Sequence, residues 1–252
     1  MKTIYRLLLL ALLVLSGCVE NDTKTISEAM INPETYWGES PWPEIRKERI
    51  NTLLPNALKN ANLDAWLVIC RENNNDPIAD HIGGENAGGT AVFIFYNDTD
   101  GFHSKVFSPS GEATALDDLD IHDEVVSVER GTSAVKMAVE FIKTKDFTAI
   151  AVNSSDSNSV ADGLSYTQRK NLEDALGEYA NRLVPSTDVV YEWLSIKLPA
   201  EVDILRKAAQ LTADWQIEAY KQIVPGKSTD ADIAKFLKQK ITEYGVIDGW
   251  AP

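Results

Sequence analysis

Two short apolar runs in the first half of the sequence restrict the folds that the chain can adopt. Residues 65–71 and 90–96 consist almost entirely of β-forming apolar residues. Runs of this kind are typical of buried strands, which belong to sheets that are covered by helices. We therefore expect a central sheet whose strands at 65–71 and 90–96 lie in the core.

The remaining elements alternate between strand and helix. The turn cluster at residues 97–101 predicts a hairpin that leads into a strand over residues 102–108. Periodicity predicts further strands at 124–128, 148–153 and 183–184, and helices at 45–61, 132–145 and 165–179. Hairpin and crossover connections together predict an α/β fold, a mixed sheet with flanking helices.

The first of these helices carries three basic residues, Arg46, Lys47 and Arg49. We expect them on the solvent side, opposite an apolar stripe that begins at Ile45. The caps of the later helices are small polar residues: Thr132 or Ser133, then Ser165.

The character of the chain changes after residue 195. Two long helices are predicted at 200–223 and 228–244, the second capped by Ser228 or Thr229 and ended by Gly245. A strand is expected to begin at Val246, and the sequence stops within it. The interpretation is a domain over residues 42–195, followed at 196–252 by the start of a second domain that is truncated.

The first seventeen residues have the pattern of an export signal. Lys2 and Arg6 precede an apolar run over residues 7–15, which is too short to span a bilayer. The sequence Leu15-Ser16-Gly17-Cys18 then resembles the lipobox of bacterial lipoproteins, which implies that Cys18 is lipidated and anchors the protein to a membrane. Val19 next to it implies the outer membrane in a cell that has one. Residues 18–41 are polar and are interpreted as a tether.

Removal of the signal leaves 22 basic and 38 acidic residues, a net charge of −16. So acidic a chain argues against nucleic acid as a partner. Only two cysteines are present, so lipidation of Cys18 leaves Cys70, which lies within the first apolar run and is expected to be a buried hydrophobe.

No complete catalytic motif occurs in the sequence. It has no His-Glu-x-x-His, no paired Cys-x-x-Cys, no phosphate loop and no Gly-x-Ser-x-Gly. His81, His103 and His122 fall on separate predicted elements. His122 lies in the acidic stretch 117–124, for which a solvated loop is favoured over a metal site.

The loop directly after the first buried strand is the candidate binding site. It reads Arg71-Glu72-Asn73-Asn74-Asn75-Asp76-Pro77, and a glycine-rich segment follows at residues 83–89. Loops at strand ends carry binding groups in α/β domains. Arg71 and Asp76 are the candidate substrate-binding residues, with the Arg71 guanidinium suited to a carboxylate. The alternative is a turn that an Arg71–Asp76 pair braces.

This loop, with the segments that follow it, resembles the amino-terminal, creatinase-type domain of bacterial Xaa-Pro aminopeptidase-like metallopeptidases. The similarity continues through Ala161-Asp162-Gly163-Leu164-Ser165, Val189-Val190-Tyr191-Glu192-Trp193-Leu194, Lys197-Leu198-Pro199-Ala200-Glu201-Val202 and Trp250-Ala251-Pro252. It covers residues 42–252, and the Lys197 segment resembles the junction at which the catalytic domain begins.

The resemblance implies a pita-bread catalytic domain downstream of this sequence. In the family, two divalent metal ions (Mn, Co or Zn) are held by two Asp, one His and two Glu, and they activate a water molecule for attack on a peptide bond. All five ligands lie beyond the last residue here, so no catalytic or metal-binding residue is assigned in this sequence. The implied substrate is a peptide with proline at its second position, and the implied assembly is a homodimer.

Two other functions stay open at this point. One is a creatinase-like amidinohydrolase that cleaves a small non-peptide C–N bond. The other is a metal-free relative that serves as a peptide-binding or scaffold lipoprotein. The metal ligands and pocket residues that would separate these hypotheses belong to the downstream sequence.

Overall fold

The computed structural model describes residues 36–247 and Gly249. The predicted export signal, Cys18, most of the tether and most of the strand predicted from Val246 lie outside these residues. The described part forms two compact units. The larger is Glu39–Lys221, and the smaller joins Tyr36–Gly38 to the residues from Gln222 onward.

Six strands of the described chain form one mixed sheet, as the apolar runs predicted. The strands are Ala65–Cys70 (β1), Ala91–Asp98 (β2), Gly101–Pro109 (β3), Glu124–Val128 (β4), Ile150–Val152 (β5) and Leu183–Pro185 (β6). Their order in the sheet is β4-β3-β2-β1-β5-β6. Strand β2 is antiparallel to β1 and β3, and every other neighbouring pair is parallel. The carboxyl ends of β1, β3, β4, β5 and β6 therefore lie at one edge.

The helices cover both faces of the sheet. They are Trp42–Glu48 (α1), Leu54–Asn60 (α2), Ala79–Ile82 (α3), Ser110–Asp117 (α4), Ala134–Lys143 (α5), Tyr166–Leu176 (α6), Thr187–Ser195 (α7), Pro199–Gln222 (α8) and Asp230–Glu243 (α9). One hydrophobic cluster contains residues of α2, α7 and alternate positions of β1 and β2, and the other contains α5, α6 and the remaining positions of those strands. The predicted α/β fold is confirmed. None of the helices in the described part has the length and apolar character needed to cross a membrane.

The predicted helix over residues 45–61 is interrupted by a π turn. Residues Arg49–Leu53 form this turn between α1 and α2, and the Leu54 amide bonds to the Arg49 carbonyl, five residues back. Pro55, which follows, has no amide hydrogen to donate to the carbonyl four residues earlier. The extra residue in the turn changes which side chains face the sheet.

The predicted helix caps are present. Ser133 caps α5, and Ser165 caps α6 through a reciprocal capping box with Gln168. In the smaller unit Thr229 caps α9 with Asp232 in the same manner, and the indole of Trp37 donates to the Tyr244 carbonyl at 2.8 Å. Helices α3, α4 and α7 are additions that the periodicity did not predict.

Candidate functional site at the carboxyl ends of the strands

The loop after β1 is built around the side chain of Asn75. Its Oδ1 accepts hydrogen bonds from the Arg71 amide at 3.0 Å and the Asp76 amide at 2.8 Å, and its Nδ2 donates to the Gly84 carbonyl at 2.7 Å. Asn73 and Asn74 have φ angles of +54° and +57°, a left-handed conformation that asparagine tolerates well. Asparagines therefore shape this loop and fasten it to the glycine-rich segment.

Asp76 points into the protein rather than toward solvent. Only 4% of the residue is exposed. Its Oδ1 accepts from the Ile78 amide at 3.0 Å and from the Asn153 side chain at 2.7 Å. Its Oδ2 is buried, and no donor among the described residues reaches it. Burial raises the pKa of Asp76 to about 6, and the nearby Asp162 carboxylate adds to the increase, while the two hydrogen bonds oppose it.

Asn153 joins the Asp76 loop to two other strand ends. It directly follows β5, and its Oδ1 accepts from the Trp66 indole and from the Ser186 hydroxyl, each at 2.7 Å. Ser186 directly follows β6. Trp66, Asn153 and Ser186 are all essentially inaccessible to solvent. One buried hydrogen-bonded network therefore fixes the carboxyl ends of β1, β5 and β6 relative to one another.

Arg71 lies on the outer side of the same loop. Its Nε donates to the Asn74 carbonyl at 3.3 Å, and its side chain forms no ion pair with Asp76 or with any other described residue. The two candidate residues thus share a loop but not a contact. Asp76 is an internal anchor, whereas the half-buried guanidinium of Arg71 keeps donors available for a carboxylate. The bracing pair considered from the sequence is not formed, because the Asp76 carboxylate is turned toward Asn153.

The glycine-rich segment packs against the protein itself. A Cβ on Gly84 would lie 2.3 Å from the Cys70 sulfur, and Gly83 adopts φ +81° where α3 ends. The Gly89 amide donates to the Glu112 carboxylate at 2.9 Å. Cys70 is fully buried, as expected, and burial raises the pKa of its thiol. The glycines here permit close approach of backbone to protein side chains.

The acidic residues of the stretch 117–124 are exposed, as predicted, whereas the ring of His122 turns inward from it. Its ring packs against Phe93 and Phe95, and its Nε2 donates to the Ile82 carbonyl at 2.8 Å. Burial lowers the pKa of His122 to about 4, and the positive charge of Arg46 acts in the same direction. No group of three or more His, Cys, Asp or Glu side chains within residues 36–247 is arranged to hold a metal ion.

Two arginines predicted to face solvent are buried. Arg46 is 5% exposed and pairs with Glu85 at 2.6 Å. Arg49, in the π turn, is 2% exposed and donates to the Glu201 carboxylate at 2.7 Å, to the Ile196 carbonyl at 3.0 Å and to the Trp193 carbonyl. The available signal was the spacing, since Arg49 lies four residues after Ile45 and Arg46 lies four residues before Ile50, which places both on the apolar face of the helix.

A crevice of about 980 Å³ opens at the carboxyl ends of the strands, on the face of the sheet that α5 and α6 cover. It lies between the starts of α4 and α5, which leave neighbouring strands toward opposite faces, the usual location of a ligand site in α/β sheets. Its lining combines Arg130 and Lys136 with Glu112 and Glu129. This mixture of charges selects no class of ligand. Sequence reasoning missed the crevice because it did not predict α4.

No protein-family model matches the sequence, and the search of curated proteins gave no match. Solved structures do resemble the chain. An Xaa-Pro dipeptidase from Bacillus anthracis matches 80% of this chain with 49% of its own length, at 15% identity and a TM-score of 0.51. An X-Pro aminopeptidase from Thermotoga maritima MSB8 matches 75% with 49% of its length, at 15% identity and a TM-score of 0.50.

A third structure, the dipeptidase PepE from Mycobacterium ulcerans, matches 79% of the chain with 50% of its own length, at 20% identity and a TM-score of 0.51. At these identities the likeness is one of fold. The chain spans about half the length of the solved structures that it matches.

Proposed function

We propose that the chain is the amino-terminal part of an exported, metal-dependent Xaa-Pro-type aminopeptidase that is held to a membrane through lipid on Cys18. The observation that carries this proposal is the fold. The match extends over three quarters or more of the chain, and all three matched structures are peptidases or dipeptidases by name. Within such a protein, residues 42–195 form the sheet domain and residues 196–252 begin the catalytic domain.

The proposed contribution of this part is recognition of the peptide rather than its cleavage. Arg71 is fixed through its backbone by Asn75, while its guanidinium stays partly exposed on a loop that Asp76 anchors from inside. A planar guanidinium in that position suits a substrate carboxylate or a peptide carbonyl. Asp76 then acts as a positioning residue, since its carboxylate is buried and bonded to Ile78 and Asn153.

Catalysis requires groups that the described residues do not bring together. Two divalent metal ions would supply activated water, and the ligands for them are expected in sequence that follows residue 252. We derive no catalytic step from this part of the chain. A homodimer and an outer-membrane location belong to the same proposal.

Two alternatives follow from the same fold. A creatinase-like amidinohydrolase would use the same kind of metal site on a small C–N bond, and a metal-free relative would only bind peptides. The remainder of the open reading frame separates them. Five intact metal ligands would exclude the metal-free alternative, and turnover of Xaa-Pro peptides rather than of a small amidino compound would exclude the other.

The test compares Arg71→Lys with unmodified full-length protein and with Arg206→Lys, an exposed arginine on α8. Loss of a charge-assisted bidentate contact should reduce kcat/KM for an Xaa-Pro peptide roughly ten- to hundredfold, with the melting temperature unchanged. The Arg206→Lys protein should keep its activity. If activity falls only in proportion to the folded fraction, Arg71 does not contact substrate. Purified residues 19–252 should show no turnover with added Mn²⁺, Co²⁺ or Zn²⁺.

A further inference from the structure

The amino-terminal half of α8 lies at the surface of the larger unit. Leu198, just before the helix, is buried, and the next buried side chain is Leu211. Residues 199–210 bury no side chain, and none of them belongs to either hydrophobic cluster of the sheet. Ile204 and Leu205 within this half are 40% and 54% exposed. A segment with so little burial has a small free energy of local opening.

The connection from α7 to α8 is equally short of apolar contacts. Helix α7 ends at Ser195, and Ile196, in extended conformation, is 46% exposed. Residues 196–198 therefore have the properties of a hinge, in which a few backbone angles can change and Leu198 is the one buried side chain.

Arg49 binds both sides of this hinge. It donates to the Trp193 carbonyl at the end of α7, to the Ile196 carbonyl inside the hinge, and to the Glu201 carboxylate in the first turn of α8. The same Glu201 Oε2 accepts from the Leu198 amide at 2.8 Å, which caps α8. Polar bonds from one buried guanidinium thus fix the direction in which the helix leaves the sheet domain.

Arg49 lies at the first position of the π turn. It faces the interior one helical turn after the buried Ile45, and the Trp193 indole donates back to its carbonyl at 2.9 Å. The arginine is therefore held on the sheet side through α7, and Glu201 is its partner on α8. A buried guanidinium without its ion-pair partner is costly, so the state in which Glu201 is in place is strongly preferred.

We propose that Arg49 and Glu201 form a lock on a hinge at residues 196–198, and that opening the lock releases residues 199–210 from the sheet domain without unfolding it. This lock is independent of any enzymatic function of the chain. The state of the lock determines whether residues 199–210 stay attached to the sheet domain or separate from it.

Hydrogen exchange measured by mass spectrometry on the full-length protein tests the lock. Glu201→Gln keeps an oxygen to cap α8 but removes the charge that Arg49 binds. Exchange of amides in residues 196–206 should accelerate roughly ten- to hundredfold, which corresponds to loss of a charged hydrogen bond, while peptides from β1 and β2 keep their rates. Arg49→Lys should have the same local effect.

Asp203→Asn provides the matched control. It breaks the Asp203–Arg206 pair, which lies on the same helix and is 76% exposed on both side chains, so exchange in residues 196–206 should not change. Two outcomes overturn the proposal. One is unchanged local exchange in Glu201→Gln, and the other is acceleration spread equally over β1 and β2, which would indicate that the pair only contributes to global stability. If Arg49→Lys fails to fold, the Glu201→Gln result alone decides.

Discussion

Gly163 lies directly against the carboxylate of Asp76. A Cβ built on Gly163 would be 2.2 Å from Asp76 Oδ2 and 2.6 Å from the Pro77 ring. The glycine thus occupies the side of the carboxylate on which no hydrogen-bond donor of the described chain is found. Close packing rather than a hydrogen bond therefore surrounds Asp76 Oδ2. This burial disfavours the charged carboxylate and raises the pKa of Asp76.

Replacement of Gly163 by alanine should destabilise the protein. The added methyl group meets the hydrogen-bonded carboxylate of Asp76 and the ring of Pro77, and overpacking of this kind costs about 1–3 kcal/mol. Gly111→Ala is the control, because nothing lies within 4 Å of its Cβ position in α4. Urea denaturation should show a lower midpoint for Gly163→Ala and an equal or higher midpoint for Gly111→Ala. Equal midpoints for both variants would mean that the Asp76 loop moves aside freely.

The contribution of Asp76 to the free energy of unfolding should decrease as the pH rises. Its folded-state pKa, about 6, lies above the ordinary value of 3.8, so its contribution is fully present below pH 3.8 and is lost as the pH rises through 6. Between pH 4 and pH 7.5 the unfolding free energy of Asp76→Asn should therefore gain about 2–3 kcal/mol relative to unmodified protein. Denaturation at a series of pH values measures this difference. A difference that stays constant with pH would contradict the assignment.

His122 should have the opposite pH dependence. Burial holds its folded-state pKa near 4, below the ordinary value of 6.5, so the neutral ring stabilises the fold above pH 6.5 and the contribution is lost as the pH falls toward 4. His122→Gln retains a donor for the Ile82 carbonyl. Between pH 7 and pH 4 the unfolding free energy of this variant should fall by up to about 3 kcal/mol less than that of the unmodified protein. An NMR titration of the ring checks the pKa independently. A midpoint near 6.5 would show that the ring is solvated.

Membrane attachment through Cys18 is tested by fractionation. Cys18→Ser should leave unprocessed precursor or release the protein into the soluble fraction, because lipid on this residue is the proposed anchor. Cys70→Ser is the matched control, since that thiol is buried in β1, and it should leave the processed, folded protein in the membrane fraction. Membrane association that persists in the Cys18→Ser protein would refute the anchor.

The sheet was predictable because its central strands are buried on both faces. Residues 65–70 and 91–95 read as apolar runs, and the hairpin between β2 and β3 has its turn at the predicted residues. Helix α4 was missed because it begins with Ser110-Gly111 and buries only Ala113 and Leu116, too few positions to establish a period.

The candidate site was predictable only in part. The sequence indicated the loop, since asparagines and a proline follow a buried strand. It could not indicate that Asp76 turns inward, because the partners that draw it there, Asn153 and Gly163, lie about eighty residues further along the chain. Arg49 was misplaced for a related reason. Its acceptors belong to residues 193–201, and a charged residue without a visible partner is normally assigned to solvent.

The contact between Gly84 and the Cys70 sulfur makes this thiol a natural reporter of unfolding. The sulfur lies in β1 beneath the glycine, and the pKa of the thiol is raised, so the reactive thiolate form is scarce and shielded from alkylating reagents. A reagent such as iodoacetamide can reach it only when β1 separates from its neighbours. The rate of alkylation then measures how often the centre of the sheet opens, and it can be compared between unmodified protein and its variants.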